Sequence, residues 1–207
     1  MNDTDSQHIQ AELEKHKGYT ATSNMEEADL IIINTCSVRE KPVSKLFSEI
    51  GQFNKKKKQG AKIGVAGCTA SHLGEDIIRR APAVDFVLGA RNISKIKDIV
   101  DIKGSVEISI NHDESTYEFA TAKTNQYRAS VNISVGCDKK CTYCIVPSTR
   151  GEEISIPPEM IVDQVKKSVA LGAVEVTLLG QNVNSYGRNF SDGRGKYSFT
   201  NLLQDVS

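Results

Sequence analysis

No run of about 18 apolar residues, the length a membrane-crossing helix needs, occurs in the 207-residue chain. The opening Met1-Asn2-Asp3-Thr4-Asp5-Ser6 lacks both a basic start and an apolar stretch, so it does not read as a signal peptide. Both absences point to a cytoplasmic protein with no membrane partner. An excess of one charge is lacking too: 26 Lys and Arg stand against 26 Asp and Glu, so the overall balance does not advertise nucleic acid. Any RNA contact must then come from a local patch or from missing sequence. The obvious patch, lysines 55–58, ends a helix-like segment, where cations suit the negative end of the helix dipole, and it reads as a solvated helix end. Paired cysteines are also missing. There are 5, with 3 tightly clustered, which favours metal or redox chemistry over a disulfide framework. Histidine is scarce, and His72 and His112 lie far from that cluster.

With 39% hydrophobic residues the chain can bury a core, and its length suits one complete domain plus part of another. Asp3 or Asp5 can cap a first helix, with Ile9 and Leu13 one turn apart on one face and Gly18 placed to end it. Residues 28–33, apolar apart from Asp29 and rich in β-branched side chains, suit a strand buried on both faces. Val43, Leu46, Phe47, Ile50 and Phe53 then recur at helical spacing, with Pro42 tolerated in the first turn. The unit repeats as a strand at 62–66, a loop at Gly67-Cys68 and a helix at 71–80, then a strand at 84–88 and a helix at 93–100. This alternation predicts an α/β domain over residues 1–102, a doubly wound parallel sheet covered by helices. Residues 103–128 read as a connector with one edge strand at 106–110 and a polar stretch through Thr116, Thr121 and Thr124. The alternation restarts over 129–207. It gives a strand at 131–135, a helix at 158–171 with Ile161, Val162, Val165 and Val169 facing inward, a strand at 174–179, and a helix at 199–206 that ends a truncated second domain.

Every cysteine falls just past the carboxyl end of a strand predicted to be parallel, the edge where ligands bind in such folds. Cys137, Cys141 and Cys144 form a CxxxCxxC loop. Four cysteines close every iron of a cubane cluster, whereas three leave one iron open to a small molecule. Zinc is the competing metal, but it prefers four closed ligands, and three cysteines with no histidine near them fit it poorly. For Cys36 and Cys68, 32 residues apart, two small buried apolar side chains explain the spacing as well as a ligand role does. Tyr143, between two of the clustered cysteines, could lie against an adenine or simply pack. Gly180 and Gln181, at the next strand's end, could receive the polar end of a ligand, and Arg150-Gly151-Glu152-Glu153 adds a cation and two carboxylates.

At these residues the chain resembles the radical S-adenosylmethionine methylthiotransferases, most closely the tRNA branch that converts isopentenyladenosine beside the anticodon to its 2-methylthio form. Four segments in order carry the resemblance: Asn34-Thr35-Cys36-Ser37-Val38-Arg39-Glu40-Lys41, Gly67-Cys68, the run from Cys141 to Glu153, and the run from Leu179 to Gly187. The resemblance implies an N-terminal domain followed by a radical-SAM partial (β/α) barrel, with two [4Fe-4S] clusters. Cys137, Cys141 and Cys144 would hold the catalytic cluster, whose free iron binds S-adenosyl-L-methionine, and Tyr143, Gly180 and Gln181 would contact that cofactor. Cys36 and Cys68 would be ligands of the auxiliary cluster. Reductive cleavage of the cofactor would activate the adenine C2, which then takes a sulfur and a methyl group. The implied partners are a tRNA substrate, an electron donor such as flavodoxin or ferredoxin, and a sulfur donor, acting on a monomer. Three departures stand out. The family's first auxiliary cysteine precedes the position of Met1, isoleucine at 156 replaces a usual arginine, and the rest of the barrel and the C-terminal RNA-binding domain are absent. The expectation is a fragment that does not turn over alone. The alternatives are a ribosomal-protein aspartate methylthiotransferase and a non-catalytic zinc or iron-sulfur binding module.

Overall fold

The computed structural model describes residues 2–36, 40–110, 127–188, 190 and 197–207, with the side chains of 40–42 left aside. The polar stretch through Thr116, Thr121 and Thr124, the 37–39 part of the N-terminal signature, His112 and the glycine-rich stretch at 191–196 lie outside the described residues. The chain divides into two compact units, one of Asn2–Ala120 with Tyr143–Arg150 and one of Thr121–Thr142 with Gly151–Ser207.

In the first unit, α1 (Asn2–Lys17) has acids in its first turn and bases in its last, which complements the helix dipole. Ile9 and Leu13 are buried on one face, and Gly18, at φ +68°, ends the helix. The expected aspartate cap is not what forms. The helix already runs through Asp3 and Asp5, and Asp5 is buried because it finds a cationic partner in Arg150. Four strands follow, β1 (Leu30–Thr35), β2 (Lys62–Gly67), β3 (Phe86–Gly89) and β4 (Ser105–Glu107), in consecutive order and all parallel. Alternation along them feeds two cores. Ala66, Phe86 and Leu88 pack with Ile9, Leu13 and Ile96, and Ile63, Val65 and Val87 pack with Leu46, Ile50 and Ile77. Helices therefore cover both faces, as the expected α/β class requires. Gly64 has no side chain because the Phe86 ring lies 2.1 Å from where a Cβ would stand.

Between the strands, α2 (Glu40–Lys56) ends on Lys55 and Lys56, and Lys58 reaches Asp29 at 2.7 Å. The helix expected at 71–80 is two helices, α3 (Cys68–Leu73) and α4 (Glu75–Arg80), broken at Gly74 with φ +51°. The expected Gly67-Cys68 loop does not exist. Gly67 is the last residue of β2 and Cys68 the first of α3, a turn made possible by φ +93° at Gly67. The 93–100 segment is a 3₁₀ turn, Ile93–Lys95, leading into α5 (Ile96–Ile99). α6 (Val146–Arg150) also belongs to this unit.

In the second unit, β5 (Arg128–Asn132) pairs in parallel with β8 (Glu175–Leu179), and α7 (Pro158–Ala170) connects them. Pro158, Ile161 and Val165 face inward as buried residues. Val169 and Val174 do not, being 55% and 83% exposed. The two paired strands offer α7 only a narrow apolar face, so its last turn has little to cover. The strand expected at 131–135 is divided. Ile133 donates its N–H to Leu179 O and accepts from Ile156 N–H, both at 2.8 Å. Beyond it, β6 (Ser134–Val135) pairs antiparallel with β7 (Ile154–Ser155). The cysteine loop thus follows an antiparallel pair rather than the parallel strand expected. Ile156 is fully buried and its carbonyl accepts the Tyr186 hydroxyl at 2.7 Å, so that position supplies packing rather than the cation the resemblance leads one to expect. α8 (Phe199–Val206) forms as expected, with Ser198 and Asn201 as a capping box. Among the described residues no helix is long and apolar enough to cross a membrane.

Candidate functional site

The carboxyl edge of the first unit's sheet carries two of the sequence-identified cysteines. Thr35 and Gly67 are register partners, so Cys36 and Cys68 each stand one residue beyond the last paired position of neighbouring parallel strands. Neighbouring strands lie about 4.8 Å apart, which puts both residues at one local edge. The start of α1 lies beside it: Asn34 Nδ2 donates to Asn2 O at 2.9 Å and to Ser6 Oγ at 2.8 Å. Cys36 is half-buried and Cys68 buried.

Cys68 has a charged neighbour. Arg150, at the end of α6, donates from Nε to Cys68 Sγ at 3.3 Å and from Nη2 to the Asp5 carboxylate. Burial works against the guanidinium charge, but Asp5 and Cys68 together outweigh it and hold the Arg150 pKa above its ordinary value. The same edge is rich in buried polar atoms without a hydrogen-bond partner, among them Asn34 Oδ1, Thr35 Oγ1 and Thr69 Oγ1. Thr35 and Thr69 each flank one of the two cysteines. Hydroxyls beside thiols suit a sulfide-rich group, so the donor set fits an iron-sulfur centre.

The second unit holds Cys137 and Cys141, whereas Cys144 belongs with the first. Cys137 is buried and its N–H donates to Gly151 O at 3.1 Å, and Asp138 accepts the Glu153 N–H at 2.8 Å. Gly136 permits this fold-back. At φ +83°, its Cβ would stand 2.0 Å from Glu152 O. Cys141 is exposed, Cys144 half-buried, and Tyr143 is 91% exposed. Gly180 follows β8, and a Cβ there would meet Ser134 Oγ at 2.7 Å. Ser134 Oγ is buried and without a hydrogen-bond partner, as is Asn132 Oδ1. Gln181 beside it is half-buried. Glu153, also buried, accepts the Ser185 hydroxyl. Among the described residues no three Cys, His, Asp or Glu side chains are gathered to hold a metal ion. Within this unit, the side-chain-free Gly180 and the orphaned, buried Ser134 Oγ against it leave room for a small polar ligand.

Two features escaped sequence reading. Asp5 looked like a helix cap, and nothing in its neighbourhood marks it as the partner of a residue 145 positions away. Asn132 and Ser134 did leave a signal, two polar residues alternating within an apolar strand.

Two family profiles match, one described as "Uncharacterized protein family UPF0004" over residues 1–89 and one as "Radical SAM superfamily" over residues 131–195. The chain is 85% identical over all 207 residues to the tRNA-2-methylthio-N(6)-dimethylallyladenosine synthase of Aliarcobacter butzleri, covering 48% of that protein. It is 65% identical to the protein of the same name from a Nitratiruptor species and 66% identical to that from a Sulfurovum species, again over its whole length and 48% of theirs. The chain spans about half the length of the curated relatives it matches. The chain thus joins a segment matching the UPF0004 profile to one matching the radical SAM superfamily, in this order, and is similar from its first residue to its last to proteins named tRNA-2-methylthio-N(6)-dimethylallyladenosine synthase.

Proposed function

We propose that this chain carries the cluster-binding portion of a tRNA methylthiotransferase, which replaces the adenine C2 hydrogen of isopentenyladenosine with sulfur and then methylates it. The observation that carries the reading is the 85% identity over the whole chain to a protein named for that product. The N-terminal domain extends over 1–102 and the radical-SAM portion over 129–207, with 103–128 between them. Cys137, Cys141 and Cys144 would hold a [4Fe-4S] cluster, and Tyr143, Gly180 and Gln181 would contact S-adenosylmethionine. Cys36 and Cys68 are ligands of an auxiliary [4Fe-4S] cluster. When bound, the catalytic cluster and S-adenosylmethionine supply radical chemistry able to exchange an unactivated C–H bond for C–S, which side chains cannot do.

The protein's own residues hold, orient and shield. Gly136 folds the cysteine loop back onto Gly151, which fixes the direction of Cys137. Gly180 leaves space against Ser134, where a side chain would intrude. The auxiliary pair is supported by the register of β1 and β2, which delivers both thiols to one sheet edge. The partners are tRNA, a low-potential electron donor such as flavodoxin or ferredoxin, and a sulfur donor. The protein acts as a cytoplasmic monomer.

The test is anaerobic reconstitution with iron and sulfide, followed by electron paramagnetic resonance (EPR) of the reduced protein. The expected result is a cubane signal that changes on adding S-adenosylmethionine and whose cofactor response disappears in Cys141→Ala. Zinc in place of iron, or a signal indifferent to the cofactor, overturns the catalytic reading. Assaying a protein of the relatives' full length on tRNA and on ribosomal protein then identifies the substrate.

A further inference from the structure

Arg150 is 5% exposed, and its guanidinium contacts two side chains. Nε donates to Cys68 Sγ at 3.3 Å, and Nη2 donates to the Asp5 carboxylate. Three segments remote in sequence meet at this point: the first turn of α1, the first residue of α3 and the last residue of α6. Asp5 alone would neutralise the buried cation. The second contact goes to a sulfur, and a cysteine serving only as apolar filler gains little from a charged donor. A thiolate bound to a metal gains a great deal, because hydrogen bonds to ligand sulfurs take up part of their charge.

We infer that Arg150 is a positioning residue for Cys68, fixing the direction of its sulfur and giving it a charged hydrogen bond as a metal ligand, while Asp5 holds the guanidinium in place. This rests on the ligand role proposed above for Cys68. Arginine suits the task because its planar fork serves two partners in fixed directions, which a lysine ammonium does with less geometric control. Reduction adds negative charge to an iron-sulfur centre, so a cationic donor at a ligand sulfur favours the reduced form and raises the potential. Asp5, as a nearby anion, offsets part of that effect.

The test uses the chain with Cys137, Cys141 and Cys144 all changed to Ala, reconstituted anaerobically with iron, sulfide and a small thiol. Cys36 and Cys68 are then the remaining protein thiols. The midpoint potential is read by EPR during dithionite titration. Arg150→Gln is expected to shift the midpoint to more negative potential, Arg150→Lys to recover part of the shift, and Asp5→Asn to move it the opposite way. Opposite signs are a response that a purely structural contact does not produce. Asp5→Asn also decides the matter where circular dichroism shows that Arg150→Gln is unfolded. Equal midpoints in the folded variants overturn the positioning role and leave the ligand reading standing. Iron content unchanged by Cys68→Ala overturns the ligand reading, and the inference with it.

Discussion

Thr35 faces Gly67 at the last paired position of β1 and β2, and a Cβ on Gly67 would stand 2.5 Å from the Thr35 carbonyl oxygen and 2.4 Å from Asn34 Oδ1. Gly67 is also at φ +93°, where an L side chain is strained whatever the space. Backbone cannot give way as a flexible side chain can. Gly67→Ala is therefore expected to lower stability by about 1–3 kcal/mol in urea unfolding, with a matching loss of iron at the Cys36 and Cys68 edge. A variant as stable as the parent would show that this turn tolerates a side chain.

The cysteines differ in access. Cys141 is exposed, Cys36 and Cys144 are half-buried, and Cys68 and Cys137 are buried. In the metal-free chain, limiting iodoacetamide followed by peptide mapping should modify Cys141 first and Cys68 and Cys137 last, because alkylation requires approach to the sulfur. Iron-sulfide loading should protect Cys137, Cys141 and Cys144 together. Protection of Cys137 with continued labelling of Cys141 would contradict a shared centre.

Much of this was legible in the amino-acid order, for reasons particular residues make plain. The β1 and β2 strands announce themselves through Ile31, Ile32, Ile33, Ile63 and Val65, apolar and mostly β-branched side chains in runs too short for a helix. The Cys36 and Cys68 positions at a sheet edge follow from where those runs stop. The junction at Gly67 was not legible, since a positive φ that turns strand directly into helix looks in sequence like any Gly-Cys loop. Gly74, whose positive φ breaks the helix expected at 71–80, carries no local signal either. The pairing of Asp5 with Arg150 depends on tertiary packing that no local pattern encodes, and the inward face of α7 stops short of Val169 because periodicity says nothing of how wide the covered sheet is.

The Glu153–Ser185 pair offers a separate check on the second unit. Both residues are buried, and the Ser185 hydroxyl donates to the Glu153 carboxylate. Ser185→Ala removes that donor and leaves a buried carboxylate short of a partner, which should cost about 1–3 kcal/mol in chemical denaturation. Exchanging both, as Glu153→Gln with Ser185→Ala, should recover part of that loss, because the charge left without its donor is gone. Additive losses would show that the two act independently.

Asp101 makes stability respond to acid. Its carboxylate accepts from Lys17 Nζ at 2.8 Å and from Lys62 Nζ at 2.7 Å, and these bonds, with Lys17's the stronger influence, lower its pKa from the ordinary 3.8 to about 2. The folded-state value lies below the unfolded one, so the contribution is complete above about pH 5 and is lost as the pH falls through about 2. The group is solvent-exposed, which keeps the effect small and sensitive to salt. Asp101→Asn should flatten the acid limb of urea midpoints across that window, and molar salt should shrink the difference between the two proteins. Parallel acid limbs would exclude Asp101 as a source of the slope.

Tyr143 stands between Cys141 and Cys144 with 91% of its surface exposed, an unusual cost for an aromatic ring unless something covers it in use. An exposed side chain contributes little to folding, so Tyr143→Ala should change unfolding stability by less than about 0.5 kcal/mol. The same change should weaken the effect of S-adenosylmethionine on the EPR signal of the reconstituted protein, because a ring beside the open iron would lose its contact with the adenine. Tyr143→Phe should keep most of that response, since stacking needs the ring and not the hydroxyl. Loss of stability with an unaltered cofactor response would assign the ring to packing. An unaltered response with unaltered stability would leave Tyr143 without a part in either, and the adenine contact would then have to come from the segment around Gly180 and Gln181.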